Sequence, residues 1–172
     1  ILSGLVGSEM CIRDSYYPEQ KDTLLALLNL EDPRLAMDHL TTNQVTLCPS
    51  VFIARSLAKN GNNVYQYHFT RRREGSEKIL SYHGAEIPYV FNTHDEWLPT
   101  NEDDIELTKA MMEYWTEFAK KGTPNSINNP TWKEFGIEEN YLILDQSLEN
   151  SSKLESDFCK IMIDEMVQRA SR

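Results

Sequence analysis

The sequence predicts an α/β protein, mostly helical, with one or two strands. Two observations carry this. The run Val64-Tyr65-Gln66-Tyr67-His68-Phe69-Thr70 is β-branched and aromatic, and it follows a helical stretch and the polar turn Asn60-Gly61-Asn62-Asn63. Tyr141-Leu142-Ile143-Leu144 is a second short strand, and apolar stripes at helical spacing fill much of the rest.

The elements follow in order. Glu19 to Leu30 carries Leu24, Leu25, Leu27 and Leu28 at helical spacing after Pro18. Pro33 opens a second helix running to about Gln44, and Pro49 opens a third from Ser50 to Lys59. After the strand, Arg71 to Tyr82 reads as a long charged loop containing Gly75; loops of this length are often functional. The strongest helix spans about Asp103 to Lys121. Thr100 with Asp103 resembles a capping box, acidic residues crowd the first turn, and Lys120 and Lys121 close the last. Its stripe of Leu107, Met111, Tyr114, Trp115 and Phe118 reads as core, and Gly122 and Pro124 end it. Trp132 and Phe135 are expected to pack down after a polar loop. Glu149 to Ser152 reads as a turn, and Leu154 to Gln168 as a closing helix.

Composition bounds the function. At 172 residues the chain can build one domain with a real core. A net charge of -10 disfavours nucleic acid or an anionic membrane as partner, because both require clustered Lys and Arg. The one basic run, Arg71-Arg72-Arg73, is followed at once by Glu74 and reads as a solvated loop. No apolar run approaches the length of a membrane span. Ile1 to Ser15 has neither helical nor strand period. Its run from Leu5 to Ser15 resembles the translated adaptor of a sequencing library, so it is set aside as an artefact, with Cys11. The remaining pair, Cys48 and Cys159, can be two buried inert thiols or a long-range disulfide. Their spacing does not suit a metal site.

The chemistry centres on His83. A histidine on a loop can take and return a proton near neutral pH, and Gly84 beside it allows a backbone conformation closed to other residues. Alone, a histidine is weak grounds for function. His83-Gly84-Ala85-Glu86-Ile87-Pro88-Tyr89-Val90-Phe91, however, resembles the His-Gly-x-Glu-x-x-x-Val-Phe segment of the type-B carboxylesterase/cholinesterase family. Cys48-Pro49, the Tyr65-x-Tyr67-x-Phe69 strand, the run from Met111 to Asn125, Pro130-x-Trp132 and Tyr141 to Asp145 follow in that family's order.

The resemblance implies the C-terminal portion of an α/β-hydrolase fold, with residues 16–172 belonging to a carboxylesterase domain. It implies a serine esterase acting on uncharged or weakly polar carboxylic esters, in which His83 is the triad histidine. Its chain order puts the nucleophile and acid upstream. Gly-x-Ser-x-Gly is absent from the chain, as is a glycine-rich oxyanion segment, so the chain is expected to be a fragment lacking the N-terminal part of its domain and inactive alone. Glu86 is expected to be a local hydrogen-bond partner fixing the loop, not the triad acid. Ser81 shows no nucleophile elbow. Zinc at His83, Glu86 and His94 fits no standard spacing, and neither metal nor cofactor is expected. His39 and His68 read as structural or exposed. Cys48 and Cys159 align with two positions that form a disulfide in cholinesterases, which would favour a secreted or periplasmic location. The alternative reading is an esterase-like binding or adhesion protein that has lost triad residues.

Overall fold

A computed structural model describes residues 17–28, 31–76 and 79–171. The segment 1–15 read as an artefact and the expected helix end at 29–30 lie outside them. The described chain forms two compact units: one runs up to Ser56 and resumes at Glu155, and the other is Leu57–Leu154.

The first unit is helical. It contains α1 (Lys21–Leu27), α2 (Pro33–Thr42), the start of α3 (Cys48–Lys59) and α6 (Ser156–Ala170). Asp32 caps α2 by accepting from the Arg34 and Leu35 amides, and Pro33 starts it. Two separate helices were expected between Pro33 and Lys59. Instead α2 runs into α3 through a π-helical turn, Asn43–Leu47. Pro49 explains this: it has no amide hydrogen and its ring would crowd the preceding carbonyls, and a wider turn relieves both. Asn43, fully buried in that turn, donates to the His39 carbonyl at 3.0 Å. Leu24, Leu40, Val51, Phe158 and Met162 form the core around Cys48 and Cys159. Those two cysteines are bridged, with Cα atoms 4.8 Å apart and a sequence separation of 111. His39 has a structural place: its ring packs on Phe158 and its Nε2 lies 3.2 Å from Glu155. The hydrogen bond with Glu155 raises its pKa against the opposing effect of burial.

The second unit holds the sheet: β1 (Gln66–Phe69), β2 (Asn140–Leu144) and β3 (Leu148–Ser152), in the order β1-β2-β3. β1 pairs parallel with β2, Gln66 opposite Tyr141 and Phe69 opposite Leu144. The parallel pair needs a crossover, and α5 (Glu102–Lys121) is part of it. β3 returns antiparallel, Leu144 opposite Leu148. One or two strands were expected; the described residues form three, because the segment read as a turn at 149–152 pairs with β2. Its polar residues give no alternation. They are held through backbone pairing and by Asn150, whose side chain accepts from the Lys133 amide and donates to the Thr131 carbonyl.

α5 packs Leu107, Met111 and Tyr114 against Leu142 and Leu144. Phe118, expected in the core, stays 46% exposed at the end of the stripe. The helix begins one residue earlier than expected. Its N-cap is Asn101, not Thr100, in a reciprocal capping box with Asp104. Beyond α5, the Asn125 side chain brackets Trp132, accepting from its amide at 2.7 Å and donating to its carbonyl at 3.0 Å. The Trp132 indole then donates to the Gln66 carbonyl.

Gly122 ends α5 at φ +72°, and a Cβ there would meet nothing within 4 Å. Gly122→Ala therefore introduces backbone strain without a clash. A loss of about 1 kcal/mol in a urea titration is the expected outcome.

Candidate active site

β1 delivers the chain to the candidate site. Thr70 and Arg71 follow its carboxyl end, both amides donating to the Leu144 carbonyl, and the Thr70 hydroxyl donates to Asp145 at 2.6 Å. The loop then leaves the sheet and comes back: the Ser81 hydroxyl donates to the Arg71 carbonyl at 2.9 Å. His83 thus lies just beyond a point tied to the carboxyl end of a parallel strand. Ligands of open α/β sheets bind on that side.

The His83 side chain is exposed and makes no hydrogen bond among the described residues. Backbone geometry carries it. Gly84 takes φ +85°, the Ala85 amide donates to the Tyr82 carbonyl, and the Ile87 amide donates to the Gly84 carbonyl. A short helix, α4 (Ile87–Phe91), follows and ends at Asn92 in the left-handed region. Glu86 precedes α4. Its side chain makes no hydrogen bond among the described residues, unlike the expected clasp. Its carbonyl accepts from the Tyr89 and Val90 amides instead. Ser81 serves the loop through its bond to Arg71. Cys48 and Cys159 belong to the first unit and His83 to the second.

The basic run corrects the sequence reading. Arg71 and Arg73 are 9% and 6% exposed, and only Arg72 between them points to solvent. A buried guanidinium is tolerated only when its donors are met. Arg71 Nε donates to Asp104 Oδ1 at 2.7 Å and Nη2 to Asn101 Oδ1 at 3.0 Å. Arg73 donates to the carbonyls of Asp95, Leu98 and Pro99 and to the Thr100 hydroxyl, with Asp95 Oδ1 at 3.4 Å. These bonds pin the segment from Asp95 to Thr100 under the loop.

Asp104, with no exposed surface, is the hub. Oδ1 accepts from Arg71 and from the Tyr89 hydroxyl, both at 2.7 Å, and Oδ2 accepts from the Asn101 amide at 3.0 Å. Burial pushes its carboxyl up, but the Arg71, Asn101 and Tyr89 donors outweigh that and hold it below the usual carboxylate range. Tyr89 is driven the other way, by burial and then by Asp104, so its phenol stays protonated as a donor. The neighbouring Thr108 hydroxyl donates its one hydrogen to the Asp104 carbonyl at 2.6 Å. Its contact with His94 Nε2 at 2.7 Å must then be one that it accepts, so His94 carries its proton on Nε2. Burial, and then Arg73, lowers the His94 pKa.

The sequence reading missed this Arg71-Asp104-Tyr89 cluster. One signal for part of it existed: Asn101 is a better cap than Thr100 and makes Asp104 the third residue of the helix. Nothing in the spacing points from Arg71 to Asp104.

Comparison with known proteins places the histidine loop in context. The carboxylesterase family model matches residues 13–162. Carboxylesterase 1E of Mus musculus is 30% identical over 156 residues, 87% of this chain and 25% of that protein. Carboxylesterase 1E of Rattus norvegicus is 33% identical over 112 residues, 62% of this chain and 20% of that protein. A medium-chain fatty acyl-CoA hydrolase precursor of Anas platyrhynchos is 31% identical over 111 residues, again 62% and 20%. The chain spans about a fifth to a quarter of the length of these curated relatives. With the match running through the strand, the histidine loop and the long helix, the chain belongs to the carboxylesterase family.

Proposed function

We propose that His83 is the general base of a serine carboxylesterase whose nucleophile, acid and oxyanion hole lie in sequence beyond these 172 residues. One observation carries the reading: an exposed imidazole, tied by its loop to the carboxyl end of a parallel strand, inside the family match. In this mechanism His83 takes the proton of the serine hydroxyl as it attacks the ester carbonyl and returns it to the leaving alcohol. It then deprotonates the water that releases the acid. Exposure suits the role, because the side chain must meet a serine and a leaving group that this chain does not supply.

The substrates are small carboxylic esters. One relative is named as a fatty acyl-CoA hydrolase, so acyl thioesters belong in the same panel. The buried Cys48–Cys159 bridge supports an oxidising compartment, extracellular or periplasmic. Among the described residues no helix is long and apolar enough to cross a membrane.

The test is hydrolysis of a p-nitrophenyl ester by protein expressed from the full reading frame. Turnover blocked stoichiometrically by a serine-directed organophosphate is expected, and so is no turnover by the 172-residue chain alone. Stoichiometric organophosphate labelling and turnover by the chain alone would overturn the division of labour proposed.

A further inference from the structure

We propose that Tyr89, acting through the Asp104 carboxylate, is a positioning residue for His83: a single carboxylate oxygen ties the segment entering the histidine loop to the segment leaving it. The inference rests on the reading of His83 as general base. Oδ1 of Asp104 accepts from Arg71 upstream of His83 and from Tyr89 downstream of it, each at 2.7 Å. The carboxylate is itself anchored. It sits in the first turn of a 20-residue helix, locked in the capping box by the Asn101 amide.

His83 needs such support because its ring has no hydrogen-bond partner of its own among the described residues. Its position is therefore set by the two stems of the loop. The Ser81 hydroxyl clasps the upstream stem to the Arg71 carbonyl, and Gly84 turns the chain toward α4, which carries Tyr89. Tyr89 is 1% exposed and stacks edge-on against Phe69 of β1 and His94. Its ring is thus held by packing and its hydroxyl by Asp104, the two contacts together fixing where the loop comes down. Tyr89 touches no reacting atom. Its effect passes through the backbone between Gly84 and α4.

Tyr89→Phe isolates the hydroxyl. The ring stays packed, and Asp104 keeps Arg71 and Asn101, so the fold is retained. The experiment compares parent, Tyr89→Phe, Ser81→Ala and His83→Ala proteins, all from the full reading frame, with active-site titration to count competent enzyme. For Tyr89→Phe the expected result is a fall in kcat of about 10- to 100-fold per titrated site, with KM within about twofold, because a small displacement of a general base affects the transition state more than ground-state binding. Ser81→Ala is expected to shift kcat the same way. Parent kcat in Tyr89→Phe, or a loss that vanishes once activity is divided by titrated sites, overturns the positioning role while leaving His83 as the base. Undiminished hydrolysis by His83→Ala overturns the base assignment itself, and the positioning role with it.

Discussion

Replacing Asp104 by alanine is expected to destabilise the second unit by about 3–5 kcal/mol, because it strands the buried Arg71 guanidinium. The pair has no solvent to fall back on: Asp104 is 0% exposed and Arg71 9%. Removing the carboxylate also frees the Tyr89 hydroxyl and opens the capping box, so three donors lose their acceptor at once. Most of the loss is the cost of an uncompensated charge and not the net worth of the pair. A paired replacement, Arg71→Met with Asp104→Leu, is therefore expected to recover much of it. Denaturant midpoints of the parent, Asp104→Ala and the double variant check this. A double variant as unstable as Asp104→Ala would contradict the account.

The pH dependence has a definite sign. The folded-state pKa of Asp104 is depressed, so its contribution is fully present above the ordinary carboxylate value of about 3.8 and is lost as pH falls through the lower folded value. The stability difference between parent and Asp104→Asn should hold steady from neutral pH to about pH 4 and shrink only in stronger acid.

Loss of the Cys48–Cys159 bridge is the second large effect. It closes a loop across 111 positions, and the chain-entropy relation gives about 4–5 kcal/mol for a loop of that length. The bridge also ties α3 to α6, whose packed residues include Val51 and Phe158. Both sulfurs belong to residues at most 1% exposed, so a mild reductant should leave the native bridge intact and act only once the unit opens. Cys48→Ala with Cys159→Ala should lower the urea midpoint, and adding reductant during unfolding of the parent should reproduce that midpoint. A parent transition unmoved by strong reductant would show that the bridge contributes little.

Legibility in the sequence tracked how local the physics is. The α5 stripe, its acidic first turn and Gly122 are all short-range signals, and the helix is where they point; only its cap lies one residue further on, because the Asn101 amide oxygen caps better than the Thr100 hydroxyl. The π turn ahead of Pro49 was not legible, since proline also starts helices and its position alone does not tell a break from a bulge. β3 was missed because Glu149, Asn150, Ser151 and Ser152 carry no strand pattern. Its partner strand β2 supplies the order.

At the candidate site, the resemblance singled out His83 as the candidate base, and the disulfide pairing that it implied is present. The Arg71-Asp104-Tyr89 cluster was invisible. Arg71 and Arg73 look like a solvated run until the fold brings Asp104 and the carbonyls of 95–99 over them. Charge runs read from sequence lack this information, because the acceptors are remote along the chain.

The central claim is that His83 is the base of a carboxylesterase. It is tested most directly by kcat for hydrolysis of a p-nitrophenyl ester in the protein from the full reading frame, parent against His83→Ala. The account predicts a fall in kcat of about 10⁴-fold or more, with circular dichroism and melting temperature unchanged, since the exposed imidazole holds nothing in place. A His83→Ala protein that turns over ester at the parent rate would contradict it.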